Sequence, residues 1–492
     1  MMQPINPYTG PIVPVRLSFA SLYKAWMRAR RGKRPSANYV AFANRWLEGL
    51  QTLHQHLRAG HWLPRRTVSF VVDHPKTREI HAPHFADRVV HHWLVPQLES
   101  LYEPVFIYDS FANRQGKGSH AAVDRLQTFM RQRNGQGWLL QLDVHNFFNS
   151  IHRPTLYGLL KHRLGKAEQR GLLGTGHIAA LRSLCHKLLA QPVQEWCATP
   201  QAAARVPAHK RLRNAPPGHG LPIGNLTSQF FANVYLNELD QFIKHTLKVK
   251  HYVRYVDDFV LLADTPVQLQ LWQSQIAQFL QEKLRLRLKD EQRLVPIAQG
   301  VDFLGYVVFP YYRLVRRRIV THCKTQLATW AKQHVRITTG GEETNGIQSI
   351  TIRANPRHLV ALQQRLASYW GHFTHAHSMR LRRSLFARFP WLPILFDLNA
   401  QGKIAPRWVL QGETMTKQVQ WLRQQWPQAQ CLVQKGYETL GFAPQAPPTD
   451  LPTEGSYLSA VQTGWLRHGI RRREITVWHL AASFPSTFGD VL

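Results

Sequence analysis

Two adjacent aspartates, Asp257 and Asp258, lie in the middle of the apolar stretch HYVRYVDDFVLLAD, residues 251–264. The flanking residues alternate as they do in a β-hairpin, although aspartate is a poor strand former. Such a pair alone is more often a solvated turn than a metal site. A third carboxylate changes this balance, because Asp143 ends the apolar strand predicted in GWLLQLDVHNFF, residues 137–148.

Three carboxylates at the ends of neighbouring buried strands would repel one another and resist ionisation. A divalent cation removes this repulsion, and Mg²⁺ prefers hard oxygen ligands and leaves room for substrate phosphates. Two such ions can clamp the attacking and leaving oxygens of a phosphoryl transfer. If Asp143 lies beside the pair, the three aspartates therefore predict a magnesium-dependent site for phosphoryl transfer.

The elements that must position these aspartates follow from hydrophobic periodicity. Helices are predicted within 17–62, 85–103, 155–193, 228–247 and 266–284, and the chain from residue 320 to the linker near 399 is predicted to be mainly helical, with a polar loop near 337–348. Strands are predicted within 66–83, with a turn at His74–Thr77, and at 137–148, 251–264 and 300–309. A basic loop rich in proline and glycine covers 197–222.

The charge of the chain indicates its partner. Its 492 residues carry a net charge of +33, and the basic residues run along the whole length. Such an excess destabilises a compact fold by self-repulsion. A polyanion relieves the repulsion, and nucleic acid is the usual one.

No apolar run reaches the roughly 18 residues of a membrane span. The first residues lack the apolar core of a signal peptide, so we expect a cytoplasmic protein that does not bind membranes. The cysteines Cys185, Cys197, Cys323 and Cys431 are widely spaced, which favours reduced, structural thiols.

Five blocks resemble, in order and separation, the conserved blocks of reverse transcriptases. They are R-x-x-x-x-P (78–83), LDVHNFF, GLPIGNLTSQFFAN, YVDDF and GVDFLGY, and the match covers about residues 60–320, with weaker similarity to about 400. The resemblance implies an α+β right-hand polymerase with fingers, palm and thumb. It implies RNA-directed DNA synthesis with Mg²⁺ as cofactor and with template RNA, a cDNA or primer strand and deoxynucleotides as partners.

On this basis we predict fingers over 1–136 and a palm over 137–320, the palm carrying an inserted helical and basic segment at 155–222. A thumb follows over 321–398, then a linker over 399–414 and a small C-terminal α/β module over 415–492. This module faintly resembles a mismatch-recognition domain of the MutS type. It departs from the Phe-x-Glu pattern of such domains, since Tyr437 and Glu438 stand there.

The resemblance makes Asp143, Asp257 and Asp258 the catalytic metal ligands, with the Val144 carbonyl as a further oxygen ligand. Phe148 matches the steric gate that favours deoxynucleotides; the alternative is an ordinary core phenylalanine.

Five basic residues are further candidates for the nucleotide site, and two of them, Lys289 and Arg293, are alternatives for one role. Arg78 matches the residue of the fingers hairpin that grips the triphosphate, and Lys76 lies nearby. Arg114 matches a basic residue that contacts template or nucleotide, although a surface or phosphate-backbone role is an equal alternative. The lysine that serves the leaving pyrophosphate corresponds to Lys289 or Arg293.

The block IGNLTSQ, residues 223–229, resembles the reverse transcriptases of diversity-generating retroelements. Those enzymes misincorporate opposite template adenine and diversify a target gene, and a small basic accessory variability protein often assists them. Relatives of the intron and retroviral types usually have glutamine where Ile223 stands and commonly proline where Gln229 stands.

Ile223, Gly224 and Gln229 would line the nucleotide pocket. Ile223 has no side-chain amide with which to fix the geometry of the nucleotide. A neutral repacking of one pocket wall is the alternative interpretation.

Two other functions remain open. One is a phage-defence or group II intron-like reverse transcriptase, and the other is a non-catalytic RNA-binding protein on a polymerase fold.

Overall fold

The computed structural model describes residues 12–33, 36–73, 76–192, 199–339, 347–354, 356–398, 403–406, 429–433, 440–444, 467–471 and 474–480. The chain divides into two compact units, Met1–Gly300 and Val301–Leu492. Within the described residues, no helix is long and apolar enough to cross a membrane.

The first unit is built mainly from helices around one antiparallel sheet. Its helices are α1 (Phe19–Arg30), α2 (Ala37–Asn44), α3 (Trp46–Arg58), α4 (Phe85–Tyr102), α5 (Ser119–Gln132), α6 (Phe147–Ser150), α7 (Arg153–Gln169), α8 (Thr175–Ala190), α9 (Pro200–Ala204), α10 (Leu226–Gln241) and α11 (Pro266–Leu284). Its strands are β1 (Val68–Val72), β2 (Arg78–Ala82), β3 (Trp138–Asp143), β4 (Tyr252–Tyr255), β5 (Asp258–Ala263) and β6 (Arg293–Pro296).

The central sheet has the strand order β4-β5-β3-β6, and all neighbours are antiparallel. Strands β1 and β2 form a separate hairpin. The buried faces of the sheet and the helices share one apolar core, in which α10 is buried on almost every side. A helix with so broad an apolar surface must lie inside the core, and α10 therefore fixes the residues at its start relative to the sheet.

Local sequence explains several boundaries. The hydroxyl of Thr265 accepts from the Gln268 amide at 3.3 Å, and Pro266 is the first residue of α11. Both features favour a helix start. The basic segment predicted as a loop at 197–222 contains the short helix α9 and two single turns of 3₁₀ helix, Ala208–Lys210 and Leu212–Asn214.

The second unit combines helices with several small sheets. Its helices are α12 (Arg317–His334), α13 (Pro356–Phe373), α14 (Met379–Arg388) and α15 (Leu392–Leu395). Its strands are β7 (Val301–Phe303), β8 (Tyr306–Val308), β9 (Arg313–Val315), β10 (Val335–Thr339), β11 (Ile347–Ala354), β12 (Phe396–Leu398), β13 (Ile404–Pro406), β14 (Ala429–Val433), β15 (Leu440–Pro444), β16 (Arg467–Arg471) and β17 (Glu474–Leu480).

The single strand predicted at 300–309 is a hairpin, so that prediction was wrong. Leu304 and Gly305 have φ values of 51° and 92°, and they turn the chain between β7 and β8. A Cβ at Gly305 would lie 2.9 Å from Cε1 of His372, and the position therefore requires glycine for both space and backbone conformation.

Strands also interrupt the helical region expected beyond residue 320. A four-stranded sheet has the order β10-β11-β17-β16. It joins strands from the predicted thumb to strands from the predicted C-terminal module. The positions of Tyr437 and Glu438 lie outside the described residues, and the boundaries of fingers, palm, thumb, linker and module stay predictions.

Candidate active site

The three aspartates lie at one edge of the central sheet. In the antiparallel register of β3 and β5, Asp143 stands directly opposite Asp258. Asp257 occupies the turn between β4 and β5, and its carbonyl accepts from the Val144 amide at 3.3 Å. The alternation of β3 and β5 thus brings together carboxylates that are more than a hundred residues apart in sequence.

Both carboxyl groups of the pair have raised pKa values. Burial, followed by the charge of Asp143, raises the pKa of Asp257 to about 6, while Lys289 and Arg78 act in the opposite direction. Burial raises the pKa of Asp258 to about 7, against a hydrogen bond from Gln141 and together with the charges of Asp143 and Asp257. The site therefore disfavours three bare negative charges.

Lys289 supplies one positive charge to this group. Its ammonium donates to Oδ2 of Asp143, and its amide donates to the Asp143 carbonyl at 2.8 Å. Arg293, the other candidate, lies on β6 and donates to the carbonyl of Gly300 at 3.3 Å. The structure thus brings Lys289 to the aspartates by a direct contact that Arg293 lacks.

The donor set fits a hard divalent cation. Oδ1 of Asp143 is buried and has no hydrogen-bond partner, and such an atom is costly unless a cation or donor satisfies it. The neighbouring side chains of Asp257 and Asp258 also offer only oxygen, which Mg²⁺ prefers. Among the described residues, no group of three or more His, Cys, Asp or Glu side chains is close enough to hold a metal ion, so the ligand roles stay predictions.

The two candidate residues on the hairpin of β1 and β2, the predicted fingers hairpin, are exposed to solvent. Arg78 is the first residue of β2, and its charge lowers the pKa of Asp257 against the effect of burial. The structure therefore brings Arg78 within electrostatic range of the aspartates. Lys76 is exposed in the turn before β2.

Val144 and Phe148 follow Asp143 on the chain, one and five positions later. Val144 is buried, whereas Phe148 is partly buried in the short helix α6 and contacts Phe147 edge-on, with ring centroids 5.5 Å apart. The Phe148 carbonyl accepts from the Leu221 amide at 2.8 Å. Phe148 is therefore held between the start of α6 and the segment that leads to Ile223.

The turn at Ile223 and Gly224 is attached to the fingers hairpin. The Ile223 carbonyl accepts from the His81 amide on β2 at 2.7 Å. Gly224 has φ of 118°, and a Cβ there would lie 2.9 Å from Cγ2 of Ile80. Only glycine tolerates this approach without a shift. Gln229 is exposed in the first turn of α10.

Arg114 has a different environment from the one predicted. Its guanidinium donates to the Glu103 carboxylate, at 2.8 Å from Nη2, and to the carbonyls of Ile107 and Ser110 at 2.7 and 2.8 Å. Its side chain is only 7% exposed. These contacts, with that of Nε to the same carboxylate, engage all three of its nitrogens and indicate a structural role for Arg114.

Two polar residues near the aspartates were missed by the sequence analysis. Gln141 donates to Oδ1 of Asp258 at 3.0 Å, and Arg254 lies fully buried on β4, three residues before Asp257. Gln141 is the polar residue inside the apolar strand WLLQLD, and Arg254 is the charged residue inside YVRY. Residues two apart share one face of a strand, a signal that could have linked Gln141 to Asp143.

Comparison with known proteins identifies the family that this part of the chain resembles. Residues 72–308 match the family model described as reverse transcriptase (RNA-dependent DNA polymerase). The group II intron-encoded protein LtrA of Lactococcus lactis subsp. cremoris is 24% identical over an alignment of 326 residues, and the match covers 53% of this chain and 49% of LtrA. Protein YkfC of Escherichia coli (strain K12) is 24% identical over an alignment of 311 residues, and the match covers 55% of this chain and 72% of YkfC.

Among solved structures, apo telomerase from Candida tropicalis truncated from the C-terminal domain has a TM-score of 0.37 at 12% identity, covering 51% of this chain and 55% of that one. Telomerase from Candida albicans with a fragment of telomeric RNA has a TM-score of 0.34 at 12% identity, covering 54% and 51%. These likenesses are weak, and the assignment of the domain does not depend on them.

The chain spans about half the length of LtrA. The predicted fold class, an α+β right-hand polymerase, is confirmed by the family match and by the mixed helix and strand content. The matched region begins in β1 and ends in β8, and it includes all three aspartates. Residues 72–308 of this chain are therefore a reverse transcriptase domain.

Proposed function

We propose that this chain is an RNA-directed DNA polymerase that copies a template RNA into cDNA by two-Mg²⁺ nucleotidyl transfer. The observation that supports this most is the register of β3 and β5, which sets Asp143 opposite Asp258 and beside Asp257. These three carboxylates and the Val144 carbonyl would hold the metal ions. When bound, Mg²⁺ would activate the primer hydroxyl and neutralise the phosphate charge that develops.

The other residues bind and orient the nucleotide. Arg78 would grip the triphosphate, since its planar guanidinium gives directed donors to phosphate, and the exposed Lys76 would add charge. Phe148 would press on the sugar at its 2′ position and exclude ribonucleotides. Lys289 would face the leaving pyrophosphate.

Substitution of the aspartates tests this function. Asp143→Asn and Asp257→Asn should abolish primer extension on an RNA template in Mg²⁺ and leave RNA affinity almost unchanged, because the basic surface remains. Asp264→Asn is a matched control, since Asp264 ends the same hairpin with a side chain that is 92% exposed.

Substantial extension by either site variant in Mg²⁺ would contradict the assignment. A wild-type chain that binds RNA but never extends a primer would instead support the non-catalytic alternative.

We further propose that the copying is error-prone at template adenines and serves targeted gene diversification, with a small basic accessory protein as a possible partner of the enzyme. The support is the motif IGNLTSQ, in which the aliphatic Ile223 replaces the glutamine of other types. Sequenced cDNA from the purified enzyme, alone and with small basic proteins encoded beside it, tests this directly. An adenine error rate equal to that at other bases in every combination would exclude it.

A group II intron-like activity is the second candidate. It is favoured by LtrA, whose name describes a group II intron-encoded protein. A faithful, processive enzyme without an adenine bias would fit this candidate. The error spectrum of the same sequenced products therefore separates the two functions.

A further inference from the structure

Arg254 is a fully buried charge next to the turn that carries Asp257 and Asp258. It lies on β4, and both it and its partner Asp240 on α10 have side chains that are 0% exposed. A buried charge is costly unless it is paired and all its hydrogen-bonding groups are satisfied. The acceptors of its hydrogen bonds therefore indicate the role of Arg254.

The guanidinium has five N–H donors, and five hydrogen bonds leave it. Nε and Nη2 donate to the two carboxylate oxygens of Asp240, and Nη2 also donates to Oγ of Ser110 at 3.0 Å. Nη1 donates to Oδ1 of Asn233 at 3.4 Å and to the carbonyl of Val256 at 2.9 Å. Four of these bonds join buried side chains, and the fifth reaches the backbone of the turn.

Val256 needs such a restraint. Its φ is 56°, and the left-handed region is strained for a β-branched residue. A strained residue persists only where its surroundings over-determine it. The next carbonyl, that of Asp257, is held by the Val144 amide, so the two ends of the turn are fixed from β4 and from the chain beyond β3.

We propose that Arg254 is a positioning residue that holds Val256 in its left-handed conformation and thereby sets Asp257 and Asp258 against Asp143. The catalytic consequence rests on the proposed polymerase function, whereas the positioning itself does not. Arg254 also joins the turn to the middle and the C-terminal end of α10 through Asn233 and Asp240, so α10 and the turn that carries the aspartates share one support. A residue that merely stabilised the core would not need the bond to Val256.

The test uses two variants and one control in the full chain. Arg254→Lys keeps a positive charge for Asp240 but lacks the planar fork that reaches both Asp240 and Val256. Tyr252→Phe is the control, because the Tyr252 hydroxyl donates to the same Asp240 at 2.7 Å and makes no contact with Val256 in the described network. Val256→Gly relieves the strain, since glycine accepts a positive φ.

The first readout is hydrogen exchange over residues 255–258, which does not depend on activity. Exchange there should be faster in Arg254→Lys and unchanged in Tyr252→Phe. If Arg254→Lys does not fold, exchange over residues 255–258 is measured in Ser110→Ala instead. The increase should be smaller there, because Ser110 accepts only one of the five hydrogen bonds of Arg254. Unchanged exchange at the turn in a folded variant overturns the proposal, whether or not the chain polymerises.

The second readout is primer extension. We expect Arg254→Lys to lower kcat by up to about a hundredfold, the loss that a small misplacement of reacting groups can cause, with RNA affinity and the KM for deoxynucleotide nearly unchanged. Adding Val256→Gly should restore part of kcat. Loss of RNA affinity and thermal stability in parallel with kcat, without rescue by Val256→Gly, would show a purely structural role and overturn the proposal.

If the wild type does not extend primers but the exchange result holds, only the proposed function fails.

Discussion

At the scale of single residues, the site depends on contacts between residues distant in sequence. Asp143 is the centre of this set, because it stands opposite Asp258, contacts Lys289 and adds its charge to the burial that raises the pKa values of Asp257 and Asp258. A change at any of these positions alters the charge balance of the whole group.

Lys289 should contribute more to catalysis than Arg293. Lys289→Met removes the ammonium that contacts Asp143, and we expect a loss of extension rate of roughly a hundredfold or more, as for removal of a positioned general acid. Arg293→Met should cost only a few-fold at most, because its guanidinium contacts the Gly300 carbonyl. Single-turnover rates with saturating nucleotide measure the difference, and equal losses would remove Lys289 from this role.

Ile223→Gln tests the proposed source of copying errors. If the aliphatic side chain loosens selection, the variant should lower misincorporation opposite adenine more than opposite other bases. Some loss of total activity is expected, since an unpaired buried amide costs roughly 1–3 kcal/mol. The measurement is the error spectrum of cDNA of matched length.

The exposed Gln229 at the start of α10 offers a comparison for this experiment. An unchanged adenine error rate in an active Ile223→Gln enzyme would transfer the hypothesis to Gln229 or to the accessory protein.

At the scale of elements, the pairing of strands was largely predictable, whereas the polar contacts were not. The alternation around Asp257 and the apolar run before Asp143 predicted two strands with carboxylates at their ends, and β3 and β5 confirm this. Sequence spacing could not choose between Lys289 and Arg293, since that choice depends on how the segment between α11 and β6 folds.

The hairpin at Leu304 and Gly305 was missed for a similar reason. Its turn needs a leucine with positive φ, and no propensity scale favours that.

A buried carboxyl group on α4 should make stability depend on pH. Asp87 accepts from the Arg65 amide at 2.7 Å and from Nε1 of Trp62 at 3.3 Å, and burial raises its pKa to about 6. The folded chain therefore keeps a proton that the unfolded chain, with a pKa of 3.8, has lost. The stabilising contribution of protonated Asp87 is thus lost as the pH rises from about 4 to about 6.

Asp87→Asn should remove this dependence. The free energy of unfolding of the wild type relative to the variant should fall by up to about 3 kcal/mol across that pH window, at about 1.4 kcal/mol per unit. Urea unfolding of both proteins, followed by tryptophan fluorescence, measures it. A difference that stays constant with pH would show that Asp87 ionises normally in the folded state.

At the scale of the whole molecule, the net charge of +33 should dominate the affinity for RNA. We expect RNA affinity to fall steeply with salt, with a slope of log affinity against log salt of about −0.7 per neutralised phosphate of a single strand. Fluorescence anisotropy at several salt concentrations gives this slope. Asp143→Asn should show the same slope as the wild type, and a nearly flat response would mean that the charge serves another purpose.

The hydrogen bond between the Ile223 carbonyl and the His81 amide has a mechanical consequence. This bond fastens β2, which begins at Arg78, to the turn at Ile223, and Gly224 permits a contact with Ile80 that no larger residue allows. In the proposed function, Arg78 would bind the triphosphate and Ile223 would form a wall of the nucleotide pocket. If the fingers hairpin closes over an incoming nucleotide, it must carry that wall with it. Binding of the triphosphate and contact with the base would then occur in a single movement. The stiffness of this hairpin would set its rate of closure, and so the time in which a mismatched nucleotide can dissociate.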